Sequence, residues 1–250
     1  LKREDLQPIF SFKNRGAYNK IVNIKKDKLK LGVIAASAGN HAQGVAYAAS
    51  LEKIPCTIVM PITASPAKVS ATRNYGANVV LYGKNYDESS LKAQKISTET
   101  GSILIHAFDD SHIISAQGVI GLEIIEQLPD VDEVFVPIGG GGLLSGILVA
   151  IKSKNPNVKI IGVESSAFPA MKNSLDSGKL ETISGNYTIA DGISVKTPGS
   201  LTFEIVKKYV DEIVLVDDSE IIKTMFLLME RSKSVVEPAG AAGLAYILGN

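Results

Sequence analysis

The chain has 250 residues, with 26 Lys and Arg set against 26 Asp and Glu, so its formal net charge is zero. That balance excludes the basic surface with which a nucleic-acid binder displaces counterions, and a hydrophobic share of 45% excludes a disordered chain. The length suits one large or two small domains, able to bury roughly 70–75% of the unfolded surface without disulfides or metals.

Short β-rich runs alternate with amphipathic stretches. In chain order the pattern predicts a helix over 13–24, a strand over 32–36, a helix over 40–50, a strand over 56–60 and a helix over 66–75. A strand over 78–82, a helix over 86–100, a strand over 103–107 and a helix over 113–127 follow. Then come a strand over 133–138, a helix over 143–154, a strand over 159–163, a helix over 201–209, a strand over 212–216 and a helix over 219–232. Several strands are near-continuous apolar runs (VFVPI, IIGV, IVLV), as strands covered on both faces are. Ser65 offers a cap to the helix that Pro66 opens, and Gly76 a left-handed stop. Asp218 and Ser219, with Asp217 nearby, offer caps to the last helix. The stretch 176–200 is rich in turn residues and has little period, so it reads as a long functional loop. Strand–helix alternation gives an α/β fold with mostly parallel open sheets and helices on both faces. Such sheets bind ligands at the carboxyl ends of their strands, which makes the turns there the place to look for function.

Gly139-Gly140-Gly141-Gly142 lies between strand 133–138 and helix 143–154. Glycine lets main-chain N–H groups approach a ligand, and at a helix N-terminus those donors and the dipole suit an anion, usually phosphate. The plain alternative is a tight turn. No Gly-Lys-Ser/Thr follows, which weighs against a nucleoside triphosphate. A dinucleotide is the rival, because Glu164 stands about 20 residues on, where such units place an acid. The spacing fits it badly: the sixth position is Leu144 counted from Gly139, or Ser145 counted from Gly140. A compact glycine nest better matches one phosphate monoester.

A second turn, Ser37-Ala38-Gly39-Asn40-His41-Ala42-Gln43-Gly44, also opens a helix. Its small residues, with a Ser and an Asn, form an anion cradle sized for a carboxylate, or else a simple helix cap. Lys13 follows Phe12 and begins a helix with Ala17 and Ile21 on one face. Most lysines are solvated surface groups. One packed on an aromatic ring has its pKa lowered and becomes a nucleophilic amine. A phosphate cradle, a carboxylate cradle and an amine nucleophile are the three parts of a pyridoxal phosphate enzyme acting on an amino acid.

SFKNRGA, SAGNHAQG, VMP, PIGGGGL, ADG and EPAGA, in this order, resemble the fold type II pyridoxal-phosphate enzymes, most closely the threonine dehydratases (threonine deaminases), with the serine racemases next. The resemblance covers essentially the whole chain. It implies a two-lobed fold of the tryptophan synthase β type, with a large cofactor-binding domain over 1–31 and 109–250 and a small mobile domain over 32–108. It implies pyridoxal 5'-phosphate as cofactor, a small amino acid as substrate, a homodimer or homotetramer, and elimination of water from L-threonine to give 2-oxobutanoate and ammonia, or from L-serine to give pyruvate. By resemblance Lys13 carries the cofactor covalently and is the catalytic residue, and Phe12 lies against its ring. Asn40 bonds the 3′ oxygen, while Ser37, Ala38, Gly39, Asn40 and His41 hold the substrate carboxylate. Gly139, Gly140, Gly141, Gly142 and Leu143 bind the phosphate. Gly192 sits beside the cofactor, and Glu237 near the ring edge.

Three departures from the family pattern matter. Serine racemases carry a second serine as the base on the far face, where this chain has Ala38, so elimination is expected over racemization. Relatives that bind a divalent cation place an acid six residues after the position of Glu164, where this chain has Ala170. A monovalent cation or none is therefore expected, and Glu164 is read as capping a strand. The family's last glycine-rich turn, which brings a Ser or Cys to the pyridine nitrogen, does not occur before Asn250, so the C-terminal end of the catalytic domain is expected to be missing. A regulatory, non-catalytic α/β protein that binds a phosphorylated ligand is the alternative from another class.

The other polar residues read plainly. Three histidines and one cysteine give no zinc spacing, so no metal ligand is assigned. His106 and His112 read as loop or strand-end residues, and Cys56 as packing at the start of a buried strand. A lone cysteine fits a reducing, cytoplasmic compartment. No run of about 18 apolar residues could span a membrane, and no leader pattern opens the chain.

Overall fold

Four short strands of the first half form a parallel sheet in the order β3-β2-β1-β4: β1 (Val33–Ala36), β2 (Cys56–Met60), β3 (Asn78–Leu81) and β4 (Ile103–Leu104). Between them run α1 (Lys13–Val22), α2 (Lys26–Leu29), α3 (Asn40–Leu51), α4 (Pro66–Asn74) and α5 (Tyr86–Thr100). All four residues of β1 are buried, as its unbroken VIAA run requires of a central strand with both faces covered. Ile34, Ala36 and Val59 pack there on Ala93 of α5. Full burial of one such isoleucine contributes about 1.5–3 kcal/mol.

The second half forms a three-stranded parallel sheet, β5-β6-β7, from Glu133–Pro137, Lys159–Ser165 and Glu212–Val216. Its helices are α6 (Ser111–Gln127), α7 (Gly142–Lys154), α8 (Ala170–Ser177), α9 (Ser200–Tyr209), α10 (Asp218–Leu227), which a π turn extends over Leu228–Ser232, and α11 (Pro238–Gly249). In this computed structural model residues 1–249 are described, so the last residue of the expected large domain, Asn250, lies outside them. Internal contacts group the chain into Leu1–Ala107 and Phe108–Asn250, whereas the family resemblance groups 1–31 with the later residues.

The parallel α/β fold and all seven strands agree with the sequence pattern, and the differences have local causes. The strand expected over 103–107 pairs only at Ile103 and Leu104. Beyond them the edge carbonyls turn to side chains: Ile105 O takes the His41 ring N–H and Ala107 O takes the Lys13 ammonium. Ser65 does not cap α4, whereas Pro66 does open it and Gly76 does adopt φ +86°. Asp217 is the N-cap residue of α10, but its carboxylate accepts from Ser166 Oγ, and that of Asp218 from Thr188 and Ile189. His112 lies in the first turn of α6 rather than in a loop. Three helices were not predicted. α2 is a single turn. α8 is eight residues long and begins inside an apolar stretch. α11 (PAGAAGLAYILG) is apolar all round and so has no helical period.

Helices α6 and α7 touch backbone to backbone. A Cβ at Gly118 would meet Gly146 O at 2.9 Å, and one at Gly146 would run into Ile114 O. Gly146→Ala therefore lowers the unfolding free energy by about 1–3 kcal/mol, since the backbone of α6 cannot move aside. Gly240 in the first turn of α11 meets only Glu237 Cγ, at 3.8 Å. Gly240→Ala leaves stability unchanged or raises it by up to about 1 kcal/mol. Urea midpoints of the two variants check both.

Candidate active site

The first unit brings Lys13 and the turn 37–41 onto two helices in contact. Gly44 of α3 lies against the backbone of Lys13; a Cβ there would meet Lys13 O at 3.0 Å and Asn14 N at 3.3 Å. Lys13 opens α1 half-buried, with its N–H on Ser11 Oγ at 3.3 Å. Its Nζ donates to Ala107 O at 3.1 Å and stands 5.2 Å from the centre of the Phe12 ring. The aromatic neighbour expected from the sequence is thus in place. α1 is held from its other side by a bidentate ion pair: Arg15 Nε and Nη2 donate to the two Glu4 oxygens at 2.8 and 3.0 Å.

The turn 37–41 leads into α3. Gly39, which has no side chain, is the N-cap residue of α3, and Ser37 Oγ accepts from Gly39 N at 3.1 Å. The N–H groups of His41 and Ala42 donate to no backbone carbonyl among the described residues. The His41 ring is buried and donates from Nε2 to Ile105 O at 3.0 Å. Burial, then the positive charge of Lys13, press its pKa down to about 3, against which the bond to Ile105 O is too weak. His41 therefore stays neutral and anchors the turn; it does not titrate in the working range. The Ala38 side chain carries no group able to hold a proton.

In the second unit the glycine run fills the space between β5 and α7. Gly141, its N-cap residue, has φ +93°. Every Cβ direction along the run is occupied: Val195 and Ile193 at Gly139, the Phe108 ring at Gly140, Met171 and Thr202 at Gly141, and the Phe108 backbone at Gly142. The N–H groups of Gly140, Gly141, Gly142 and Leu143 donate to no backbone carbonyl among the described residues. Free donors at the start of a helix are of the kind that suits an anion. Gly192 and Glu237 come together beside the run, with Glu237 Oε1 3.9 Å from where a Gly192 Cβ would stand and Gly192 O 3.3 Å from that of Gly139.

Glu164 corrects the sequence reading. It caps a helix instead of a strand: Oε1 and Oε2 accept from the N–H groups of Met171 and Lys172 at 2.8 and 2.9 Å, in the first turn of α8. Ala170, where some relatives place a second acid, is the first residue of that helix. Phe108, Asp109 and Thr202 were missed by the sequence reading. The turn directly after the strand predicted over 103–107 was the available signal, since Phe108 and Asp109 lie in it. Cys56 is buried, which pushes its thiol up to about 12 and keeps it inert.

Residues 1–250 match the model of the family described as pyridoxal-phosphate dependent enzyme. An L-threonine ammonia-lyase of Thermotoga maritima is 55% identical over 248 residues, which are 99% of this chain and 62% of that protein. The chain thus spans less than two thirds of the length of that relative. Among solved structures, the processed form of threonine deaminase isoform 2 from Solanum lycopersicum superposes with a TM-score of 0.95 at 43% identity, covering 97% of this chain and 67% of that one. Maize serine racemase also superposes with a TM-score of 0.95, at 38% identity, covering 98% and 74%.

Burial raises the Glu164 carboxyl from 4.5 to about 7, against the opposing pull of the Lys172 and Met171 N–H groups and the Lys172 charge. In the unfolded chain it ionises near its ordinary value. Between about pH 4.5 and 7 the folded protein thus holds one proton more than the unfolded one, and stability falls as pH rises through that window. The loss is on the order of 3 kcal/mol, at about 1.4 kcal/mol per pH unit. Glu164→Gln removes this slope, which urea unfolding at pH 5 and pH 7.5 measures; an unchanged slope assigns the proton to another group.

Proposed function

The chain belongs to the pyridoxal-phosphate-dependent enzyme family, and from that premise we propose that it deaminates L-threonine to 2-oxobutanoate and ammonia by elimination of water, and L-serine to pyruvate by the same route. The observation that carries this reading is the contact of α1 with α3, which fixes the amine of Lys13 and the main-chain cradle of 37–41 on one packed pair of helices. An α-amino acid needs those two groups together: one to hold its carboxylate and one to take its α-proton.

Pyridoxal phosphate, when bound, supplies an aldehyde for the amino group, an electron-withdrawing ring and a phosphate ester. The residues present fit it. The four N–H groups from Gly140 to Leu143, which donate to no backbone carbonyl among the described residues, suit the ester, and the filled Cβ directions explain why only glycine serves there. Lys13 is the residue that would carry the aldehyde, with Phe12, Asn40, Gly192 and Glu237 around the ring. The carboxylate of the substrate lies on the main-chain N–H groups of the turn 37–41. The Lys13 amine removes the α-proton and, as an ammonium, gives it to the departing β-hydroxyl, which leaves as water. The aminocrotonate so released hydrolyses to 2-oxobutanoate and ammonia. His41, neutral and tied to Ile105 O, holds the turn without competing for the proton. Ala38 offers no second acid to reprotonate the α-carbon from the far face, which favours elimination over racemization. A monovalent cation or none, assembly as a homodimer or homotetramer, and a cytoplasmic setting complete the proposal.

The full chain loaded with pyridoxal 5'-phosphate is expected to release 2-oxo acid from L-threonine and from L-serine. One methyl group in an apolar pocket is worth about 1–3 kcal/mol in kcat/KM, so the choice between them is a preference. Lys13→Ala abolishes both turnover and the visible absorbance of the lysine-bound cofactor. Turnover that survives this change moves the base elsewhere. D-serine formed faster than pyruvate makes the protein a racemase, and a chain that binds the cofactor without any turnover is a binding protein.

A further inference from the structure

The carboxylate of Asp109 is saturated by the start of a helix remote in sequence. Oδ2 accepts from Ser200 N and Ser200 Oγ at 3.0 and 3.1 Å, and Oδ1 from Leu201 N and Thr202 N at 3.0 and 3.1 Å. Three of these four donors are the first N–H groups of α9, which lack helical partners of their own. Gly199 has no side chain to push the carboxylate away; a Cβ there would run into it. Thr202, fully buried in the same turn, points its hydroxyl at the glycine run. Oγ1 donates to Gly140 O at 2.7 Å, with Gly199 O a longer alternative at 3.1 Å, and Gly199 N donates to the same Gly140 O at 3.3 Å. Phe108, the residue before Asp109, lays its ring against Gly140 and its backbone against Gly142.

A trans peptide is planar, with C=O and the next N–H on opposite sides. Fixing Gly140 O therefore fixes the direction of the Gly141 N–H. The peptide between two glycines has little of its own to hold it, because glycine accepts either sign of φ. We propose that Asp109 and Thr202 are positioning residues for the phosphate cradle. Asp109 clamps the first turn of α9, Thr202 thereby pins the Gly140 carbonyl, and the Gly141 N–H is held facing the phosphate ester. Neither side chain touches the cofactor in this scheme, which rests on reading the glycine run as a phosphate site.

The test compares two ligands on the apo form of the full chain: pyridoxal 5'-phosphate and pyridoxal, which shares the aldehyde but lacks the phosphate. Equilibrium titration gives the affinity of each. In the unchanged protein the phosphate form binds far more tightly; a ratio near one overturns the phosphate-site reading itself, before any variant is made. Thr202→Val is expected to cut that ratio by about tenfold, the loss of one buried hydrogen bond, while leaving the affinity for pyridoxal unchanged. Thr202→Ser, which keeps the hydroxyl, retains the ratio. Asp109→Asn, with one acceptor oxygen for four donors, lowers the ratio to a similar extent, and the double variant with Thr202→Val loses little more than either alone, because both act through one carbonyl. Where Asp109→Asn does not fold, the two Thr202 variants decide. An undiminished ratio in Thr202→Val, or an equal loss for both ligands, overturns the proposal.

Discussion

The close approach allowed by four missing side chains at 139–142 sets the geometry of the second unit. Phe108, Met171, Ile193, Val195 and Thr202 come from segments far apart in sequence, and each occupies the space where a Cβ of the run would stand. Such packing costs backbone entropy, about 0.5–1 kcal/mol per glycine in a regular element. It also leaves a short piece of chain in which Gly140 O and Gly141 O are engaged by the protein, while the N–H groups from Gly140 to Leu143 donate to no backbone carbonyl among the described residues. The entropy is offset by contacts on one side, and the other side keeps its donors for a ligand.

A second close approach does the same work in the first unit. Gly44 lets α3 lie on the backbone of Lys13, so the residue that begins one helix and the turn that begins the other are fixed by the same contact. The amine has among its partners a carbonyl at the frayed end of β4 and the face of Phe12. His41 supplies the remaining rigidity by taking the other carbonyl of that frayed end. A strand shorter than its sequence suggests is here a strand whose last acceptors have been given to the site.

Much of this was legible in the residues. VIAA fixes a strand because an unbroken apolar run of that length buries both faces, IVLV reads as a strand although Leu215 of this edge strand stays exposed, and GGGG and SAGNH stand where parallel sheets leave their ligand sites. α11 is hard to read from sequence because it is apolar all round and so lacks a period, and α8 because its eight residues offer only about two turns of pattern. What supports the site was not legible. Asp109 bonds Ser200 across 91 residues, and Glu164 seals a helix that the sequence did not announce. One carboxylate meeting a few main-chain N–H groups leaves no repeat, so only the folded chain brings the partners together.

The acids of the second unit share an arrangement that bears on the glycine run. Asp110 accepts from His112 N and Ile113 N at the start of α6, Glu164 caps α8, Asp109 caps α9, Asp217 and Asp218 begin α10, and Glu237 directly precedes α11. A negative charge at a helix N-terminus satisfies its exposed donors and opposes its dipole. Among the described residues α7 is the exception: its N-cap residue is Gly141 and its first turn carries no acid. Within this unit, the helix start left without a carboxylate is the one that follows four glycines. An internal acid there would compete with any anion from outside, and the chain provides none. In the proposed reading the phosphate ester of the cofactor would supply the charge that α7 lacks, the electrostatic counterpart of the missing side chains beside it.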